Sequence, residues 1–234
     1  MIRKDPAAAP YRTVARFRYL LAALLLLIPV GLFARGSAGR MALTVLFSGV
    51  LLSALWALRA DRWRFLTGMV LVPVALAGLW AATFFDSLPL LFAGRAVAVA
   101  VLVLVVWTLL RDIARQTRIL QETIYQAACA YLIVGVIFAL LYSSINAIDS
   151  AAFAPTAAPG TGPNTQDARA TAAGFGTWVY FSFVTMTTVG YGDITPVTPA
   201  ARSLAILEAL LGQFYVAVLV ARLVGLLQTQ MSRE

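Results

Sequence analysis

The sequence predicts an all-α membrane protein of six transmembrane helices, with a short re-entrant helix and a loop between the fifth and the sixth. Three observations carry this. Hydrophobic residues make up 61% of the 234 residues and charged residues only 12%, whereas soluble domains are about half apolar and a quarter charged. The apolar residues gather into six runs near the ~20 residues that a bilayer requires. A further apolar run, Thr177–Thr187, makes about three helical turns and is too short to cross.

In chain order, an N-terminal arm (1–18) leads into a four-helix domain (19–110). Its spans are Tyr19–Phe33, Met41–Leu58, Phe65–Phe85 and Leu88–Leu110. Pro29 and Pro73 lie inside spans, where neighbouring helices re-satisfy the freed carbonyls. Residues 111–122 form a basic linker helix, and residues 123–228 a second domain. The latter holds the fifth span (Tyr125–Ala147), an irregular segment (143–176), the short helix (177–187) and the last span (202–227), before a tail (229–234). Ala154 to Pro163 carries three prolines and no hydrophobic pattern, so it predicts a flexible outer loop.

The formal charge is +8, and its distribution points to a membrane rather than to nucleic acid. Arg3, Lys4, Arg12, Arg16 and Arg18 precede the first span, Arg59, Arg62 and Arg64 separate the second from the third, and Arg111, Arg115 and Arg118 follow the fourth. Asp86, Asp149 and Asp167 fall on the other side, with Arg35, Arg40, Arg169 and Arg202. The positive-inside bias puts the basic loops and both termini in the cytoplasm of a multi-pass protein. An Ala/Leu/Arg-rich chain with one Lys suggests the cell membrane of a bacterium, its inner membrane. A cleaved signal peptide is the alternative for the first helix. It would leave five spans and break the parity of the basic loops, so a retained helix is preferred.

There are no histidines and one cysteine, Cys129. No disulfide framework, zinc site or nucleophile–base pair can be assembled, so the sequence predicts no enzyme, no cofactor and no small-molecule substrate.

After the short helix comes Thr188-Val-Gly-Tyr-Gly-Asp193, then Pro196 and Pro199. Gly190 and Gly192 accept positive φ without a Cβ penalty. The short helix would aim its negative C-terminus at whatever passes the loop, favouring a cation. Motif and context together resemble the selectivity filter and pore module of the potassium channel family, over roughly Thr123 to Leu227. The resemblance implies a homotetramer, since one chain supplies one filter loop. It also implies K⁺ bound by the backbone carbonyls of Thr188, Val189, Gly190 and Tyr191, with Gly192 completing the filter, and Thr187 and Asp193 supporting it. The run 177–187 becomes the pore helix, 188–193 the selectivity-filter loop, 143–176 the turret and 202–227 the inner helix.

Departures from the family pattern matter. Some bacterial members pair a pore-helix Glu with the filter Asp; here that position is Val184. Tyr180, thirteen residues before Asp193, either offers its hydroxyl to that carboxylate or only packs. Thr195 stands where an aromatic in relatives binds external tetraethylammonium, so external block should be weak. Gly212, twenty residues after Gly192, is either an inner-helix hinge or a close-packing position. Glu208 and Gln213 also lie inside the inner helix. An intramembrane carboxyl is functional by default, whether bonded to the back of the pore helix, to a neighbouring helix, or facing ions at a gate. Asp149 and Asp167 either concentrate cations at the mouth or are solvated loop charges.

The fourth span contains Arg95 alone, so no gating-charge array exists and strong voltage dependence is not expected. Arg95 belongs near the outer interface, snorkelling or paired. Arg111, Arg115 and Arg118 share one helix face and suit anionic lipid headgroups, or are ordinary positive-inside charges. The sequence leaves no room for a C-terminal nucleotide- or Ca²⁺-binding domain. The predicted function is passive, K⁺-selective conduction without strong voltage gating. A K⁺-uptake transporter subunit and a non-conducting membrane adaptor remain as alternatives.

Overall fold

Long apolar runs satisfy their backbone internally by forming helices, and the computed structural model is correspondingly helical. It describes residues 9–33, 36–57, 62–85, 88–116, 121–155 and 174–231. Among these are seven helices: α1 (Ala9–Phe33), α2 (Gly36–Ala57), α3 (Arg62–Phe85), α4 (Leu88–Arg115), α5 (Gln121–Ile148), α6 (Phe175–Met186) and α7 (Pro199–Met231). Two short strands, β1 (Phe153–Pro155) and β2 (Ile194–Pro196), pair antiparallel, with Ala154 opposite Thr195. The helices α4, α5 and α7 are long and apolar enough to cross a membrane; α1, α2 and α3 carry shorter apolar stretches, Phe17–Phe33, Met41–Trp56 and Phe65–Ala81.

Several boundaries differ from those the sequence predicts. The first helix starts at Ala9, not Tyr19, so the arm that carries Arg12, Arg16 and Arg18 is itself helical. Ala and Arg are strong helix formers, and Pro10 falls in the first turn, where it is tolerated. The fourth helix runs on to Arg115. Arg111 and Arg115 therefore sit on its last turns rather than on a separate linker helix; Arg118 lies outside the described residues. The fifth helix persists to Ile148, so the turret does not begin at Ser143. Most of the turret, with Asp167, and also Asp86, lies outside the described residues. The last helix starts at Pro199 instead of Arg202. Thr198 caps it: its hydroxyl accepts from the Ala201 N–H and its carbonyl from the Arg202 N–H, with Pro199 supplying the preset φ of a first helical position.

Side-chain periodicity builds two clusters. Leu20, Leu24 and Leu27 of α1 and Ala98, Val101, Leu102, Val105 and Leu109 of α4 are buried at helical spacing. They pack around Cys129, Ile133, Val136, Ile137 and Leu140 of α5. The second cluster is aromatic. Phe153 of β1 meets Trp178 of α6 with ring centroids 4.7 Å apart, and Tyr142 of α5 meets Phe181 of α6 at 4.9 Å, each such pair adding about 1 kcal/mol to its area burial. Where backbones meet, glycine is required. A Cβ on Gly176 would lie 1.9 Å from the Gly31 carbonyl oxygen, and one on Gly94 2.8 Å from the Gly78 carbonyl carbon.

Contacts fix how α1 and α7 run against α5. The Cys129 thiol points to the Phe17 carbonyl, 3.5 Å away, and Gly31 meets Gly176 at the start of α6, so α1 runs parallel to α5. The Tyr215 hydroxyl donates to the Ala127 carbonyl at 2.6 Å and the Tyr142 hydroxyl to the Glu208 carboxyl at 2.6 Å, so α7 returns antiparallel to α5. The loop after α6, β1, β2 and the C-terminus of α1 share one end of the molecule. The start of α5 and the end of α4 share the other.

Candidate functional site

The loop that follows α6 is built as an elaborated helix cap. A helix end leaves four carbonyls without partners, and here the chain folds back to supply them. The Thr187 N–H donates to the Phe183 carbonyl at 3.0 Å and the Thr188 N–H to Thr185 at 3.0 Å. Val189 and Gly190 both donate to the Val184 carbonyl, at 3.0 and 3.3 Å. With Thr188 at φ 60°, the pattern is that of a Schellman motif whose left-handed residue is a threonine in place of the usual glycine. A β-branched residue at positive φ is strained by about 1–3 kcal/mol. The Thr187 hydroxyl also donates back to the Phe183 carbonyl at 2.6 Å. Val184 thus contributes through its backbone oxygen, a role that its side chain does not advertise.

Positive φ then recurs at every second residue: Thr188 at 60°, Gly190 at 54° and Gly192 at 75°. An alternating sign of φ turns successive carbonyls toward one side of the chain, the arrangement a row of cation ligands needs. Two of the three positions are glycine, where this conformation is free of strain. Thr188 through Asp193 are exposed in the single chain.

Behind the loop, the Tyr180 hydroxyl donates to Asp193 Oδ2 at 2.8 Å, so of the two sequence-level alternatives for Tyr180 the hydrogen bond is the one formed. Burial first, and then that bond, push the Tyr180 phenol up to about 12; the donated proton stays in place at physiological pH. The Tyr180 and Tyr191 rings stack with an interplanar angle of 1° and centroids 6.5 Å apart. Beyond Asp193, β2 is held to the loop after α5. The Val197 N–H donates to the Ala152 carbonyl at 2.8 Å, and the Thr195 hydroxyl to the Ala154 carbonyl at 3.2 Å. Asp149 is exposed and closes a turn by accepting from the Ala151 N–H at 2.9 Å.

The residues expected at a gate separate in the structure. Glu208 is not a carboxyl open to an aqueous path: its accessibility is 0%, and it lies between α5, α6 and α7. Tyr142 donates to its Oε2 at 2.6 Å, and Ser182 bonds its Oε1. Gly212 is a close-packing position within an unbroken helix: a Cβ there would lie 2.6 Å from Met186 Cγ and 2.7 Å from the Met186 carbonyl oxygen. Gln213 is exposed, beside the exposed Phe214. Arg95 is half-buried in α4, and its Nη1 has no hydrogen-bond partner among the described residues.

Sequence reasoning missed Arg222. Its Nη2 reaches the carbonyls of Ile113 (2.9 Å), Ala114 (2.6 Å) and Gln116 (3.1 Å). A lone arginine near the end of an apolar helix reads as an interfacial charge, and backbone acceptors carry no side-chain signature.

A short helix and a loop of alternating φ thus lie between two helices long and apolar enough to cross a membrane. Residues 126–229 match the ion channel family. A 47-residue stretch is 47% identical to two pore potassium channel c of Oryza sativa subsp. japonica, covering 20% of this chain and 10% of that protein. The match therefore spans about a tenth of the curated relative's length. The similarity to ion channels thus covers the segment from α5 to α7. No solved structure matches it.

Proposed function

We propose that the protein conducts K⁺ passively across a cell membrane, through a pore formed by four copies of the chain. The observation that carries this reading is the alternation of positive φ at Thr188, Gly190 and Gly192. It presents the carbonyls of Thr188, Val189, Gly190 and Tyr191 as a row of ligands that replaces the hydration shell of K⁺. The C-terminus of α6 faces the same region and favours a cation.

The assembly follows from what one chain leaves uncovered. Ile206, Leu207, Phe214 and Val218 of α7 are between 54% and 66% exposed, which suits an inner helix flanked by neighbouring copies and lipid. A ring of identical subunits closes by cyclic symmetry. In this reading all of α1–α5 and α7 span the bilayer and α6 is re-entrant. The parallel α1 and α5 and the antiparallel α7 are what an alternating six-span path requires. The end bearing Arg111, Arg115 and Arg222 is cytoplasmic, and the lipid-facing arginines meet anionic headgroups. The protein needs no cofactor and acts on no small-molecule substrate. With Arg95 as the one arginine between Leu88 and Leu110, conduction is not strongly voltage-dependent.

The test is ion flux from liposomes containing the purified protein, K⁺ against Na⁺, with Gly190→Ala as the control. K⁺-selective flux that Gly190→Ala abolishes is the expected result. Equal K⁺ and Na⁺ flux, or flux unchanged in Gly190→Ala, overturns the filter assignment.

A further inference from the structure

A proton count around Glu208 goes one step beyond conduction. The Ser182 hydroxyl has one hydrogen and two oxygen neighbours, the Gly135 carbonyl at 2.7 Å and Glu208 Oε1. A carbonyl has no proton to give, so Ser182 must donate to Gly135. The hydrogen between Ser182 and Glu208 then has to come from Glu208. On the other side, the Tyr142 hydroxyl donates to Glu208 Oε2. Three protons and three acceptors close a single directional chain: Tyr142 to Glu208, Glu208 to Ser182, Ser182 to Gly135. With an ionised carboxylate, Ser182 would turn to Glu208 and leave two oxygen lone pairs facing each other 2.7 Å apart at Gly135.

We propose that Glu208 is a neutral, protonated positioning residue, whose carboxylic acid donates to Ser182 and thereby locks the pore helix α6 between α5 and α7. The setting agrees. A buried, unpaired carboxylate is strongly disfavoured, and the group neutralises instead. Each bond of the chain joins two different helices, with Tyr142 and Gly135 on α5, Ser182 on α6 and Glu208 on α7. Gly135 is also a point of close approach between α5 and α6, since a Cβ there would lie 2.9 Å from the Phe183 ring and 3.2 Å from Met186 Cε. Two residues past Met186, the loop of alternating φ begins.

Loss of the proton has a defined consequence. The Ser182 hydroxyl reverses, the Ser182–Gly135 bond is lost, and the end of α6 that carries Thr188 loses one of its ties to α5. The titratable groups that face Glu208 are Tyr142 and Tyr131, both on α5. From α6 comes only the Ser182 hydroxyl, since the other ionisable group of that helix, Tyr180, is bonded to Asp193. Phenols ionise near pH 10, so a transition at lower pH belongs to Glu208.

The effect on flux rests on the proposed conduction, whereas the protonation state does not, so the experiment reads both. Glu208→Gln reproduces the pattern of the acid, its amide N–H donating to Ser182 and its oxygen accepting from Tyr142. Glu208→Leu removes both bonds. The infrared spectrum of purified wild-type protein at neutral pH, minus that of Glu208→Gln, should show the C=O band of a protonated carboxyl, and the band should vanish at alkaline pH. Thermal stability and K⁺ flux should be retained in Glu208→Gln and lost in Glu208→Leu. Wild-type flux should fall as the band disappears, while Glu208→Gln stays flat over the same range. Absence of the band at neutral pH overturns the proposal. So does a Glu208→Gln protein as impaired as Glu208→Leu, including failure to fold. Should wild-type liposomes conduct nothing, the band and the stability ranking still decide the proton on Glu208, and the failure falls on the conduction reading alone.

Discussion

Arg222 on α7 caps the end of α4, its guanidinium lying 2.6 Å from the Ala114 carbonyl. The cation meets the negative end of the helix dipole and carbonyls that have no partner within their own helix. Beside it, Gln116 Nε2 donates to Gln126 Oε1 at 3.0 Å, and the Thr123 hydroxyl bonds the Gln116 side chain. The last turn of α4 and the first of α5 are thus stitched together, and the far end of α7 is attached to both.

Arg222→Met keeps the apolar stem and removes the donors. It should destabilise the protein by about 1–2 kcal/mol, with amide exchange of the last turn of α4 quickening before that of α5. Arg222→Lys should recover part of the loss, because an ammonium supplies the charge without the planar fork. Hydrogen exchange with mass spectrometry reads this directly; unchanged exchange at 112–116 in Arg222→Met would count against the cap.

Tyr180→Phe removes the Asp193 bond and leaves the ring stacked on Tyr191. A hydrogen bond to an ionised group contributes about 1.5–3 kcal/mol, and the exposure of Asp193 reduces that toward about 1 kcal/mol, a several-fold shift between conducting and non-conducting loops. Recordings should show K⁺ current that decays faster, with folded yield unaltered.

Gly212→Ala tests packing against hinging. The added methyl has nowhere to go between α7 and Met186, and overpacking of this kind costs about 1–3 kcal/mol. Flux and thermal stability should fall together. Gly225→Ala is the matched control: among the described residues no atom beyond its own stretch of helix lies within 4 Å of its Cβ, and removing a helical glycine should raise stability by up to about 1 kcal/mol.

Thr195 faces solvent on β2, its hydroxyl bonded to the Ala154 carbonyl. External tetraethylammonium should block wild type weakly. Thr195→Tyr should make block severalfold more sensitive, as a cation–π contact of about 0.5–2 kcal/mol would. Equal sensitivity in both would place residue 195 away from the ion path.

What the sequence made legible was local or periodic. The motif 188–193 announced itself, and Tyr180 was recognisable as a partner for Asp193 because thirteen residues of helix and loop bring the two to one place. The six long apolar runs located the long helices, but not all of their ends, since α1 and α4 continue through Arg12–Arg18 and Arg111–Arg115, beyond the apolar runs. Glu208 was visible as an anomaly, whereas its partners were not. Tyr142 and Ser182 lie 66 and 26 residues away, and each reads by itself as an ordinary helix residue. Thr188 hid its strain, because a Thr-Val-Gly string does not disclose that the threonine takes the left-handed position.

The contact between Gly31 and Gly176 has a consequence for how this chain can be divided. The first helix forms part of the wall against which α6 begins, and Phe47 of α2 adds an edge contact to Phe175, ring centroids 6.1 Å apart. The region before α5 is therefore not a detachable accessory. A fragment trimmed to residues 121–234 would strip the start of α6 of its seat, so miniaturising this protein means redesigning the surface that α1 now covers.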